Sequence, residues 1–304
     1  MNSQMSSLKG KFKKFIKEGA FFCTRGQLLN YATLLYDVPT VYPDKGPGRT
    51  LKVYEGDTFI VSYPRSGNTW MRFLVANLAN PDADVSYANI ERIAPDIYLT
   101  PEPFLRKMAR PRILKSHEAF DPRYKKLIYV VRNPVDVALS LFHTLKRTNS
   151  KFKYSFQQFV TLYLEGEFDA WFGSWDQHVN SWIHHQTSFN SFHLVRYEEL
   201  CSDPHAALTS VAKFLKYSVD EAAIRQAVER CSKGEMTRLY KSTGELIQRD
   251  IGKGNAGFLM PSEVERDVEI AETDLRRLID RYSPTMQLLG YSTDGVPAWS
   301  GFEK

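Results

Sequence analysis

A chain of 304 residues, 43% hydrophobic and 25% charged, can bury the core of one large α/β domain or two small ones, and its composition is ordinary for a globular protein. Its formal net charge of +5 suits an anionic small ligand but is too mild and too dispersed to indicate nucleic acid. Three cysteines, Cys23, Cys201 and Cys231, have no CxxC spacing and leave one over from any pairing. With no run near the ~20 apolar residues of a membrane span and no signal-peptide pattern, the reading is a cytoplasmic chain with free thiols.

Residues 1–50 read as a segment that packs on a main domain of residues 51–304. In residues 8–22, "LKGKFKKFIKEGAFF", Lys9, Lys11, Lys13, Lys14 and Lys17 alternate with Phe12, Phe15 and Ile16. Such a basic amphipathic helix docks its apolar side on a domain or makes a weak peripheral contact with an anionic membrane. "DVPTVYPDKGPGRT" is a Pro/Gly-rich loop. Beyond it, strands are expected at Phe59–Ser62, Arg112–Leu114, Leu127–Val131 and Phe192–Val195. Helices are expected at about Thr69–Leu78, after Pro134, over Pro204–Leu215, Val219–Cys231 and Glu272–Tyr282. Apolar strands alternating with helices describe a single α/β domain with a mostly parallel central sheet flanked by helices, whose ligands bind beyond the carboxyl ends of the strands.

The motifs fall at those ends. In "FIVSYPRSGNTWMRFLVANL" a strand runs through a short turn into a helix. Gly67 permits a tight turn and close approach of an anion. The free N–H groups near Asn68, Thr69 and Trp70 face the loop, the Asn68 and Thr69 side chains add donors, and Arg65 adds a fixed charge. The loop is therefore suited to a phosphate. It lacks the Gly-Lys-[Ser/Thr] core of a nucleoside-triphosphate P-loop. A strand–helix turn with a simple cap is the plainer alternative.

This octet, "YPRSGNTW", resembles the 5′-phosphosulfate loop of the cytosolic sulfotransferases, a P-loop-like fold. These enzymes move a sulfuryl group from 3′-phosphoadenosine 5′-phosphosulfate (PAPS) to a hydroxyl or amine and release adenosine 3′,5′-bisphosphate (PAP). Further segments match in the family's order: "RILKSHEAF", "LIYVVRNPVDVALSLFH", "GSWDQHVNSWI", "LVRYEEL" and "IGKGNAGF", together about residues 58–258. The resemblance implies a catalytic set of His117 as base, with Arg65, Lys115 and Ser140. It implies nucleotide contacts at Arg65, Ser66, Gly67, Asn68, Thr69 and Trp70, a 3′-phosphate site at Arg132 and Ser140, and Tyr197 and Cys231 near the adenine. Arg249, Lys253 and Gly254 would close over the 3′-phosphate. No metal is expected, since no ligand cluster has the right spacing. Three positions depart from the family's pattern: arginine stands at 65 where lysine is commonest, Gly252 precedes Lys253 where an arginine is usual, and Lys233 stands where an aromatic is usual.

Loose in-line sulfuryl transfer relies on positioning and charge stabilisation. His117, at a strand end two residues after a lysine, suits a base that is neutral near pH 7. Most histidines in a globular chain are structural, and His143, His184 and His185 on helical patterns read that way. Arg65 stays charged and so would act electrostatically. The stretch Tyr154–Trp175, with Phe156, Phe159, Tyr163, Phe168, Trp171 and Phe172, is either an apolar lid over a small hydrophobic acceptor or helix core; Phe21, Phe22 and Phe104 would join such a lid. The rival readings are a P-loop kinase-like phosphotransferase and a non-catalytic PAPS/PAP-binding module. Oligomeric state and the choice between O- and N-sulfation are unreadable.

Overall fold

The computed structural model describes residues 50–149, 151–169, 172–185, 191–218, 220–251 and 270–294. Four strands, β1 (Thr58–Ser62), β2 (Ile113–Ser116), β3 (Lys126–Val131) and β4 (Phe192–Arg196), form one sheet in the order β2-β1-β3-β4. All three pairings are parallel, with Ile60 opposite Lys115 and Ile128. Parallel neighbours need crossover connections, and helices supply them.

Successive side chains on a strand point to opposite faces, and the core divides accordingly. Phe59, Val61, Leu127, Tyr129 and Val131 belong to one buried cluster, and Ile60, Ile128, Val130 and Val195 to the other. The first face is covered by α4 (Pro134–Thr148), α5 (Phe156–Leu164), α6 (Trp175–Ile183) and α11 (Glu272–Leu288). The second is covered by α1 (Asn68–Ala79), α8 (Pro204–Leu215), α9 (Glu221–Arg230) and the start of α10 (Lys233–Ile251). Three short helices, α2 (Ile90–Ile93), α3 (Glu102–Lys107) and α7 (Tyr197–Ser202), complete the described elements. Both faces of the sheet are covered, which is why its strands read as continuous apolar runs. The fold is a single α/β domain with a parallel sheet between helical layers, as the sequence indicated.

The second strand is displaced from its expected place, to Ile113–Ser116. Arg112 is held just before it in a fully buried ion pair with Asp57 (Nε–Oδ1 3.0 Å) and donates to the Leu105 and Lys52 carbonyls. The last helix passes Tyr282 and Pro284 to end at Leu288, because Leu278, Ile279, Tyr282 and Met286 continue one buried stripe. Most of the aromatic stretch is core: Phe156, Phe159, Tyr163 and Trp175 are buried, and Ser155 and Gln158 cap α5 reciprocally. Tyr154 is the only exposed aromatic side chain among the described residues of that stretch, and Phe104 is exposed on α3. Residues 1–49, Trp171 and the glycine-rich segment around Lys253 and Gly254 lie outside the described residues.

Candidate active site

Ser62 ends β1, and the chain then turns through Tyr63, Pro64, Arg65 and Ser66 before α1. Two residues of this turn are left-handed, Arg65 at φ 70° and Gly67, the N-cap of α1, at φ 94°. A non-glycine residue there costs energy, and such conformations gather at functional loops. Turns of this kind collect consecutive N–H donors into an anion-binding concavity. Ser66 is fully buried and its hydroxyl has no hydrogen-bond partner among the described residues. A buried orphan hydroxyl in a donor-rich loop fits a phosphate oxygen as its partner. The Asn68 side chain is used differently from the expectation. Its amide nitrogen lies 3.2 Å from the Ile60 carbonyl, 3.1 Å from Ser62 Oγ and 3.1 Å from the Ser116 carbonyl, so it ties the ends of β1 and β2 together. That leaves the loop's own N–H groups, Thr69, Ser66 and Arg65 to meet an anion.

Gly67 is also fixed by its neighbour. A Cβ placed there would lie 2.3 Å from Cδ2 of the Tyr197 ring. Gly67→Ala combines this clash with a left-handed backbone and should destabilise the fold by roughly 2 kcal/mol or more. In urea the midpoint should fall at unchanged slope; an unchanged midpoint would show that neither the Tyr197 contact nor the left-handed backbone restricts position 67.

Arg65, Arg132, Ser140, Trp70 and Tyr197 converge on one side of this loop. Arg65 Nε donates to Ser140 Oγ (3.0 Å), reaching from the loop to the second turn of α4. Arg132 Nη1 donates to the Arg65 carbonyl (3.3 Å), and its guanidinium lies 4.5 Å over the Tyr197 ring. Tyr197 meets Trp70 edge-on at 6.0 Å. The Trp70 indole N–H donates to the carbonyl of Cys231 (2.8 Å). Cys231 is buried with its thiol accepting from the Asn77 amide (3.3 Å), and burial pushes that thiol up to about 12. Cys231 thus enters the site through its backbone, as a brace for Trp70. Arg249 lies in the last turn of α10.

On the other side of the loop stands His117, 5% exposed. Its Nδ1 lies 2.7 Å from the Ser62 carbonyl, which can only accept. Nδ1 therefore carries the proton, and Nε2 holds the lone pair of the neutral ring. Burial, then the nearby Lys115 charge, lowers its pKa to about 3, so the ring is neutral at neutral pH. Tyr98 stacks with it (6.2 Å, 8° between planes), Phe172 lies 5.8 Å away, and the His117 backbone N–H donates to Tyr98 Oη (2.9 Å). Behind it, His178 Nε2 donates to the His117 carbonyl (3.0 Å) while its Nδ1 faces the Tyr129 hydroxyl (2.8 Å). Lys115 is not solvated: it forms a buried ion pair with Asp96.

Sequence reasoning missed Tyr98, Asp96 and His178. His178 sits in the matched segment "GSWDQHVNSWI" on the buried side of an amphipathic helix, where a histidine gave the only signal. Asp96 and Tyr98 lie in a connection without a strand pattern, although Asp96 bridges to Lys115 in parallel register.

Among the described residues no group of three or more His, Cys, Asp or Glu is placed to hold a metal ion, and no helix is long and apolar enough to cross a membrane. The model of the sulfotransferase domain matches residues 55–267. Mouse sulfotransferase 2B1 is 35% identical over 230 residues, which cover 72% of this chain and 67% of that protein. Mouse sulfotransferase 1B1 is 30% identical over 194 residues, 58% of this chain and 64% of that protein. The matched segment spans about two thirds of these relatives. Mouse sulfotransferase SULT7A1 complexed with PAP superposes with a TM-score of 0.61 at 21% identity, covering 86% of this chain and 90% of that one. Retinol dehydratase in a complex with retinol and PAP superposes with a TM-score of 0.64 at 18% identity, covering 91% and 94%. The structural likeness gives the same P-loop-like fold, and the match over residues 55–267 gives the family: the chain belongs to the PAPS-dependent sulfotransferases, transferases of the EC 2.8.2 type.

Proposed function

We propose that this chain transfers the sulfuryl group of PAPS to a hydroxyl or amine of a small, partly apolar acceptor, with His117 as general base and no metal. The observation that carries this reading is the tether between base and loop. His117 donates a hydrogen bond from Nδ1–H to the carbonyl of Ser62, the residue that leads into the phosphate loop. The basic Nε2 is thereby fixed relative to the loop that would hold the phosphosulfate, as in-line transfer requires. PAPS supplies an activated S–O bond, and the residues of the chain position, neutralise and deprotonate. The orphan Ser66 hydroxyl fits the 5′-phosphosulfate, and Arg132 with Ser140 offers donors to the 3′-phosphate. Tyr197 and Trp70 would border the adenine, with Arg249, Lys253 and Gly254 proposed to close over the 3′-phosphate.

The acceptor would approach His117 past Tyr98 and Phe172. An aromatic approach favours a phenol, sterol or other hydrophobic alcohol over a glycan. One structural neighbour, retinol dehydratase, holds ligands of this kind in two solved structures, one with retinol and one with androsterone. Cys201 and Cys231 are both free thiols, in keeping with a proposed cytosolic setting. A peripheral membrane contact through residues 8–22 and a docked main-domain helix remain the two proposals for the N-terminus.

Thermal unfolding without metal tests the nucleotide first. PAP at 100 times its dissociation constant adds about 2.7 kcal/mol, or a rise of about 5 °C or more in Tm. PAP should raise Tm and ADP, lacking the 3′-phosphate, should do so far less. A rise with ADP alone would favour the kinase-like reading. A rise with PAP and no turnover of PAPS across phenols, sterols and amines would favour the binding module.

A further inference from the structure

Asp96 is fully buried, carries a charge, and has no part in the chemistry above. The segment that holds it lies along the free edge of β2. Lys115 N–H donates to the Pro95 carbonyl (2.8 Å), and Ile97 N–H donates to the Lys115 carbonyl (3.2 Å). This places Asp96 opposite Lys115 in parallel register. The carboxylate is held at both oxygens: Oδ1 accepts the Tyr98 N–H (3.0 Å) and Oδ2 takes the Lys115 ammonium. Its own N–H donates to Glu91 Oε2 (2.8 Å). The next anchor along the same segment, Tyr98 Oη, accepts the His117 N–H. One short strip of chain therefore fixes both the lysine and the histidine of "LKSH".

Arg72 from α1 pairs with Glu91 from α2 (2.6 Å), Lys115 from β2 pairs with Asp96, and the Glu118 carboxyl accepts from Tyr98 Oη (3.2 Å), so two cations face three carboxyl groups. His117 borders the group, and on its far side it meets the neutral His178 from α6. The Lys115 charge opposes protonation of His117 and the Asp96 charge favours it. A base that receives a proton during transfer becomes a cation, and the local balance of charge sets how readily it does so.

We infer that Asp96 is a positioning residue for the sulfuryl-transfer centre: it pins the Lys115 ammonium at the edge of the site and supplies the counter-charge that lets His117 accept a proton. The inference rests on the proposed role of His117. Asp96→Asn keeps the shape and leaves one uncompensated positive charge beside the imidazole. The His117 imidazole, followed by NMR in the ligand-free full chain, should then protonate at a lower pH than in wild type. With PAPS and a phenol, kcat should fall at least tenfold while KM for PAPS changes little and PAP still raises Tm. The buried lysine, stripped of its counter-ion, tends to lose its proton, which removes the charge that opposes His117, so kcat should recover along a new limb on the alkaline side. The double variant Asp96→Asn/Lys115→Gln removes both charges and so avoids an unpaired one. It should fold as wild type does, and it should lack the alkaline limb.

An unchanged imidazole titration in Asp96→Asn overturns the inference. So does an equal loss of kcat and of PAP stabilisation, which marks a merely structural residue. If Asp96→Asn does not fold, the double variant decides, and an alkaline limb in it overturns the inference. Absence of turnover in wild type would count against the proposed function alone, because the imidazole titration needs no substrate.

Discussion

His117→Gln should lower kcat by about 10²–10⁴-fold, the usual contribution of a positioned general base, while PAP still raises Tm. Glutamine is the informative replacement because its amide can still donate to the Ser62 carbonyl and hold the end of β1. The binding half of the site, on the Arg132 and Tyr197 side of the loop, does not include the imidazole. A variant with wild-type kcat would remove His117 from the chemistry. A variant that loses PAP binding together with turnover would make it a structural support for the loop.

The same histidine predicts an unusual acid response. Its folded pKa of about 3 lies below the ordinary 6.5, with burial the main cause and the Lys115 charge next. His178 is lowered to about 4, again chiefly by burial. Between those values and 6.5 the unfolded chain binds protons that the folded chain refuses, so stability falls on acidification in that window. Each ring costs on the order of 2 kcal/mol by pH 5, at 1.36 kcal/mol per unit. Asp169 works the other way. Burial and the neighbouring Asp176 raise it to about 6, so its protonation favours the folded state as pH falls through that range. Measured kcat should accordingly show no protonation limb near pH 6.5, and activity in acid should be lost with unfolding. His117→Gln should lose less stability between pH 7 and pH 5 than wild type; an equal loss would mean that the ring charges freely in the folded protein.

What was legible in the sequence followed from pattern. The strand–turn–helix at residues 59–78 declares itself because apolar period, Gly67 and the cap fall together, and parallel strands buried on both faces read as apolar runs. Position in the chain could not show how polar groups share partners. Asn68 looks like a donor to a ligand, yet it is consumed in tying two strand ends together. Ser140 looks like a partner of Arg132 eight residues away, yet it accepts from Arg65, seventy-five residues back. Lys115 reads from the sequence as part of the catalytic set, and only the connection from Pro95 to Ile97, which brings Asp96 beside it, reveals its ion pair. Such pairings depend on long-range register. The aromatic stretch before Trp175 was ambiguous because a core helix and a lid have the same composition, and burial assigns most of it to the core.

Arg65→Ala should cost about 10²–10³-fold in kcat, as expected when a donor aimed at developing negative charge is removed, and Arg65→Lys should keep much of the activity. The two cations differ in what they can do as the S–O bond of PAPS breaks. Either cation neutralises charge on the bridging oxygen; lysine can also release a proton to it, whereas arginine stays charged throughout. Arg65→Lys therefore preserves the electrostatic role and loses the geometry of the guanidinium. That geometry has a use here, because Arg65 Nε donates to Ser140 Oγ while its backbone carbonyl receives Arg132. Lysine should therefore recover most of kcat but show a weaker hold on PAP, since its single ammonium cannot keep Ser140 and face the ligand at once. Ser140→Ala isolates that coupling. It should weaken PAP binding in wild type and add little to Arg65→Ala, because the partner it serves is already gone. Full additivity of the two substitutions would mean that Ser140 meets the 3′-phosphate independently of Arg65, and wild-type activity in Arg65→Ala would end its role in the transfer step.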